Sequence, residues 1–331
     1  MTSFYYSSDK TTFQNKFEAL KHRRSTNNAV YFYYNDDVWA NIDWTQEPPG
    51  SLEFHYKNQA QRIRDAYDYV VLFYSGGYDS TNILETFHFN NIKLDKVVCV
   101  GAFGQDAYAG SDENHNGELY KNAFPYLVEL GLEKITQICD YSKLFNDVKN
   151  FSVYEYGAQW VEEVGPWFSP HNWFWRDIHK HVVPKGMADK KVALIWGKDK
   201  PNLERRSGQV GFTFSDVAAL SYAGNTKIDN IERINFYWDP NYPLLVVKQA
   251  HEMLKANEFI NPNIVYKLKK RLTFKSPKSP SNLLSLRDKF LLKHSSSSLC
   301  DFYTMGLNRM QTKHVVNEAI PQFRSMFHRI S

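Results

Sequence analysis

The chain has 331 residues, of which 43% are apolar and 16% aromatic, and a formal net charge of +4. That length fits one large domain or two of ordinary size, and the charge is too small to argue for a nucleic-acid partner by itself. The three cysteines, Cys99, Cys139 and Cys300, form no CxxC pair and no zinc spacing; no run of about 18 apolar residues is present to span a membrane, and the N-terminus lacks the apolar stretch of a signal peptide, so a reducing, cytoplasmic setting is expected.

Residues 1–67 read as an N-terminal appendage. Ala29-Val30-Tyr31-Phe32-Tyr33-Tyr34, then Asn35-Asp36-Asp37, then Val38-Trp39-Ala40 spells strand, turn, strand. Pro48, Pro49 and Gly50 break the chain, and 52–67 has helical spacing with Ile63 and Ala66 inward. From 68 onward strands alternate with helices, the pattern of a parallel sheet covered on both faces. Strands are expected at 68–74, 96–103, 134–139 and 192–196, with a helix at 116–130 ending at Gly131. Further strands are expected at 211–215 and 232–238, as a hairpin or a sheet extension, then a helix at 243–256. Residues 262–331 read as helical and basic. The expected fold is therefore α/β, a doubly wound, mostly parallel sheet over 68–257, flanked by the appendage and by a helical C-terminal region over 258–331. Ligands of such sheets sit beyond the carboxyl ends of the strands, which directs attention to 75–80, 103–113, 140–143 and 197–206.

The most informative of these is Ser75-Gly76-Gly77-Tyr78-Asp79-Ser80, which follows the apolar run Tyr69-Val70-Val71-Leu72-Phe73-Tyr74 and precedes a helical pattern. A strand that runs through a glycine turn into a helix aims backbone N–H groups and the positive end of the helix dipole at one spot, where phosphate fits. Gly76 and Gly77 are expected to allow backbone angles and close approaches that a side chain would forbid. Ser75, Ser80 and Thr81 add hydroxyls. Asp79 repels phosphate directly, so it suits either a magnesium ion or a helix cap. No lysine follows the second glycine, which excludes a Walker A loop, and the third glycine of the Rossmann fingerprint is missing.

Ser-Gly-Gly-x-Asp-Ser after a buried strand resembles the PP-loop of the N-type ATP pyrophosphatases, whose fold is the adenine nucleotide alpha hydrolase type. The likeness extends over about residues 40–255 and is nearest to stand-alone, asparagine-synthetase-like proteins carried by bacteriophages, which would place the chain in a host cytoplasm. It implies cleavage of ATP to AMP and pyrophosphate with Mg²⁺, the pyrophosphate portion being held by Ser75, Gly76, Gly77, Tyr78, Asp79, Ser80 and Thr81.

Other candidates follow from position. Trp196-Gly197-Lys198-Asp199-Lys200-Pro201 closes the strand at 192–196. Gly197 and Lys198 are expected to touch the nucleotide, Lys198 or Lys200 to supply the cation that the loop lacks, and Asp199 to share the metal with Asp79. Arg205 and Arg206 suit a phosphate or a substrate carboxylate. By likeness to related folds the adenine is expected at the end of the strand at 96–103, beside Gly101, Ala102 and Phe103. The segment 105–115 carries Asp106, Asp112, Glu113 and His115 and reads as a solvated loop or a lid. The aromatic stretch 160–181 reads mostly as core, with His171 and Arg176 as its substrate candidates. Basic residues at 267–293 are either a nucleic-acid footprint or solvated helix faces. The chain starts Met1-Thr2-Ser3, without the cysteine of an N-terminal glutaminase, and only Cys139 among the thiols lies near the ligand edge.

The expected function is thus an enzyme in which a substrate carbonyl or carboxylate oxygen takes AMP from ATP and a nitrogen nucleophile then displaces it, with a small molecule as partner. Two alternatives stand beside it: the same chemistry on a tRNA or DNA base, and a nucleotide-binding or sequestering protein without turnover.

Overall fold

The computed structural model of the protein describes residues 4–13, 16–101, 119–140, 177–197, 202–214, 228, 230–257 and 328–329. Five strands form its central sheet: β4 (Tyr69–Phe73), β5 (Lys96–Gly101), β6 (Thr136–Asp140), β7 (Val192–Trp196) and β10 (Ile231–Asn235). They lie in the order β10-β7-β4-β5-β6, and every neighbouring pair is parallel. The chain lays down β4, β5 and β6 in one direction, then returns to place β7 on the free side of β4. The strand order therefore reverses between β4 and β7.

Parallel strands covered on both sides read as apolar runs because both side-chain rows are buried. In β4, Val70 and Leu72 join one apolar layer while Val71 and Phe73 join the other. In β7, Ala193 and Ile195 alternate in the same way with Val192, Leu194 and Trp196. The first layer also takes in Tyr56, Ala60 and Ile63 of α3 (Leu52–Ala66), Ile83, Leu84 and Phe87 of α4 (Tyr78–Phe89), Leu127 of α5 (Phe124–Glu129) and Val246 and Ala250 of α7 (Pro243–Asn257). The second takes in Ile178 and Val182, the latter on α6 (His179–Val182). These are the helices on two faces that the alternating pattern implied. The helix expected at 116–130 is described from 119: a wide turn at Leu119–Ala123 gives way to α5. Pro125, in the first turn of α5, has no N–H to continue the preceding ladder.

The appendage departs from its expected hairpin. β3 (Tyr31–Tyr34) is followed by a single helical turn, α2 (Asp36–Trp39), and not by a strand at 38–40. Asn35 adopts a left-handed conformation with φ 48°, which redirects the chain, and the acidic pair Asp36 and Asp37 suits a helix start. The strand partner of β3 is β1 (Phe4–Ser8), itself paired with β2 (Thr11–Phe13), and α1 (Lys16–Thr26) packs on both. Inward rings of this unit merge with the main core: Tyr34 and Trp39 meet Phe214 at 5.2 and 5.1 Å, and Tyr34 meets Trp238 edge-on. Much of the aromatic content is spent here.

Two more segments differ from expectation. The 197–206 stretch, read as a strand tip, contains β8 (Asn202–Arg206), which pairs antiparallel with β9 (Gln209–Thr213) across the two-residue turn Ser207-Gly208. The far C-terminus, read as helical, returns as β11 (His328–Arg329) on the other side of β9; the rest of 258–331 lies outside the described residues. Among the described residues no helix is long and apolar enough to cross a membrane.

Burial raises the Asp36 carboxyl to about 6, with the neighbouring Asp37 adding to the shift. The folded value lies above the ordinary 3.8, so folding takes up a proton between those two values and stability falls as the pH rises through that window. Asp36→Asn is accordingly expected to stabilise the protein by about 1–2 kcal/mol near neutral pH, allowing for partial solvent screening, with the gain vanishing toward about pH 4. Urea midpoints measured at both ends of the window check this.

Candidate functional site

β4 hands the chain directly to the Ser75–Ser80 turn. Tyr74 still bonds to the sheet, its N–H donating to Val98 O at 2.8 Å. Gly76 then turns with φ +76°, and a Cβ placed on it would stand 2.9 Å from the backbone N of Ala123. Both facts demand glycine. Gly77 is different: at φ −79° and ψ 161° it is ordinary extended backbone and serves as the residue before α4. The expectation that both glycines hold forbidden angles is thus corrected: of the two, Gly76 has the positive φ, and it is also the one whose missing side chain makes room for Ala123.

Inside the turn the hydroxyls brace one another. Ser80 Oγ donates to Gly77 O at 3.1 Å and accepts from Ser75 N–H at 3.3 Å. Ser75 Oγ lies 3.2 Å from Ser80 Oγ and accepts from Gly77 N–H at 3.2 Å. Ser80 is buried and Ser75 exposed. Thr81 Oγ1 lies 3.4 Å from the Tyr74 hydroxyl. Asp79 sits in the first turn of α4, and the capping position before the helix is Gly77, which has no side chain. Its carboxylate is half-buried and contributes to raising the already burial-shifted phenols of Tyr56 and Tyr237.

The end of β7 meets this turn. A Cβ on Gly197 would lie 3.0 Å from both Asp79 C and Ser80 N, and 2.8 Å from Ile83 Cδ1. Absence of a side chain at 197 is what lets β7 and the start of α4 approach. The result is a braced turn at the carboxyl edge of the sheet, between β4 and β7, where the strand order reverses and doubly wound sheets bind ligands.

Sequence spacing did not reveal the polar residues beneath. Tyr237 donates to Asp79 O at 2.8 Å and accepts from Asn82 Nδ2 at 2.9 Å. Tyr126 donates to the buried Glu85 carboxylate at 2.5 Å, tying α5 to α4. The available signal was weak: Tyr237 lies inside an expected strand, and Asn82 and Glu85 are two of several polar residues on a mixed helical pattern.

Several expected site residues lie outside the described residues: Lys198, Asp199 and Lys200; Ala102 and Phe103; the 105–115 segment; His171 and Arg176; and 267–293. Gly101 is the last residue of β5 and pairs with Asp140. Arg205 and Arg206 stand on β8, opposite Val210 and Gln209, and not on a strand tip. Cys99 and Cys139 occupy opposite faces of the sheet. Burial pushes the Cys99 thiol up to about 12 and also raises Cys139, Lys96 only partly opposing it, so neither thiol is activated.

Among the described residues no three His, Cys, Asp or Glu side chains gather as metal ligands. The carboxylate at the turn, Asp79, is a hard oxygen donor at the N-terminus of a helix. That fits Mg²⁺, which binds nucleotides through one or two carboxylates and fills its remaining positions with phosphate oxygens and water. No family model matches the chain, and no curated protein matches it.

Proposed function

We propose that this chain is an ATP-using enzyme of the PP-loop ATP pyrophosphatase type, forming AMP and pyrophosphate. A carbonyl or carboxylate oxygen of the substrate attacks the α-phosphorus, the bond to the bridging oxygen breaks, and pyrophosphate leaves with that electron pair. A nitrogen nucleophile then forms a C–N bond and AMP departs. The observation that carries this reading is the position of the Ser75–Ser80 turn at the reversal point of a parallel sheet, with Gly197 closing its other side.

The residues divide the work. First-turn amides of α4 and the positive end of its dipole face the departing diphosphate. The Ser75 and Ser80 hydroxyls hold the turn in shape before any ligand arrives. Asp79 would hold Mg²⁺, which when bound neutralises charge on the phosphates. Lys198 or Lys200, two or four residues beyond β7, would complete the charge balance.

Incubation of the protein with ATP, Mg²⁺ and a cell extract tests the proposal. AMP, pyrophosphate and a new nitrogen-containing adduct are the products expected by mass spectrometry. ADP as the product, or ATP binding without any cleavage, would overturn it.

A further inference from the structure

We propose that Tyr237 is a positioning residue for the anion-holding turn, an inference that rests on the function proposed above. Its phenol spends both hydrogen-bonding roles on α4, donating to the carbonyl of Asp79 and accepting from Asn82 Nδ2. Tyr237 and Asn82 are both buried, so water does not substitute for either bond.

The other end of this strut is held by several elements. The Tyr237 carbonyl accepts from Gln249 Nε2 of α7 at 2.9 Å, and its ring meets Tyr56 of α3 edge-on at 5.7 Å. Trp238, the next residue, packs edge-on against Phe214 and Tyr34. Asp239 accepts from Gln59 Nε2 at 2.9 Å and pairs with Arg62, both on α3. The segment after β10 is therefore a fixed post, framed by α3, α7 and the aromatic core.

The start of α4 needs such a post. The first turn of a helix has the fewest hydrogen bonds of its own, yet a site built from its amides must hold geometry to within about 0.5 Å. Ala123 limits the turn at Gly76, and Gly197 limits it from β7. Tyr237 supplies the restraint from the side of β10, at the residue that carries the carboxylate.

Removing the hydroxyl leaves the ring packing in place but takes away its bonds to Asp79 O and Asn82 Nδ2. The test is calorimetric titration of the full chain with magnesium pyrophosphate, with thermal melts of the same samples. Tyr237→Phe is expected to weaken pyrophosphate binding roughly 10-fold, the size of effect that a sub-ångström misplacement produces. Asn82→Ala keeps the hydroxyl but frees its direction, and a loss of roughly 3-fold is expected. Tyr67→Phe is the control: it removes the hydrogen bond of a different phenol, to the Glu232 carboxylate of β10, that does not touch α4. It is expected to lower the melting temperature while leaving pyrophosphate affinity unchanged.

Wild-type affinity in Tyr237→Phe would refute the strut alone. Equal losses in Tyr237→Phe and Tyr67→Phe would reduce it to general destabilisation and also overturn it. No magnesium pyrophosphate binding by the unmodified chain would bring down the proposed function, and the strut's role with it.

Discussion

Asp79→Ala is expected to remove the magnesium dependence of pyrophosphate binding and to cut MgATP turnover at least about 100-fold, in a protein that remains folded. The fold survives because the side chain is only half-buried and the capping position of α4 belongs to Gly77. An acidic residue in a first turn contributes about 0.3–1 kcal/mol through the dipole, a small part of a total near 5–15 kcal/mol. On the proposed function, activity is lost because the carboxylate that would hold the metal at the turn is gone. The sign without metal is the informative part. A carboxylate beside a bare diphosphate repels it, so Asp79→Ala should bind metal-free pyrophosphate more tightly than the wild type does. Asp79→Asn, which keeps the shape and loses the charge, should behave in the same way. Titrations with Mg²⁺ and with a chelator check both halves. Retained magnesium dependence in the alanine variant would remove Asp79 from the proposed site.

How much of this was legible depends on the range of the interactions concerned. β4, α4, β7 and α7 could be read because each is an apolar or periodic run closed by local punctuation, such as Gly197 after Trp196. The glycine turn was legible for the same reason. What failed was set by distant partners. Val38-Trp39-Ala40 has strand composition, but β3 pairs with β1, more than twenty residues back along the chain, and the turn at Asn35 leads into α2. β8 is charged, Asn-Leu-Glu-Arg-Arg, and becomes a strand by pairing with β9 across a tight turn. β11 joins that hairpin from more than a hundred residues away along the chain. The Asn82–Tyr237 bond spans 155 positions, and no spacing rule reaches that far. Even within the turn, the two glycines look alike in sequence, because the contact that bars a side chain at 76 comes from Ala123, far along the chain.

That division makes Gly76→Ala the sharper structural test. Two costs act together. An L-residue at φ +76° pays about 1–2 kcal/mol in backbone strain. The new Cβ would also press to 2.9 Å from Ala123 N and 3.1 Å from Ala123 Cα. These are backbone atoms, which cannot swing aside as the end of a side chain can, and forcing extra carbon into packed space costs about 1–3 kcal/mol more. Gly131→Ala separates the terms. It has a similar φ of +69° but nothing within 4 Å of the added carbon, so it carries the strain alone. Gly76→Ala should therefore lower the urea unfolding free energy by about 2–5 kcal/mol and Gly131→Ala by about 1–2 kcal/mol. The functional readout separates them further. Relief of the clash must move either the Leu119–Ala123 turn or the Ser75–Ser80 turn, so on the proposed function pyrophosphate binding should be lost in Gly76→Ala and kept in Gly131→Ala. Equal stability losses in the two variants would mean that Ala123 does not confine the turn. Retained binding in Gly76→Ala would mean that the shape of the turn at 76 is not what holds the anion.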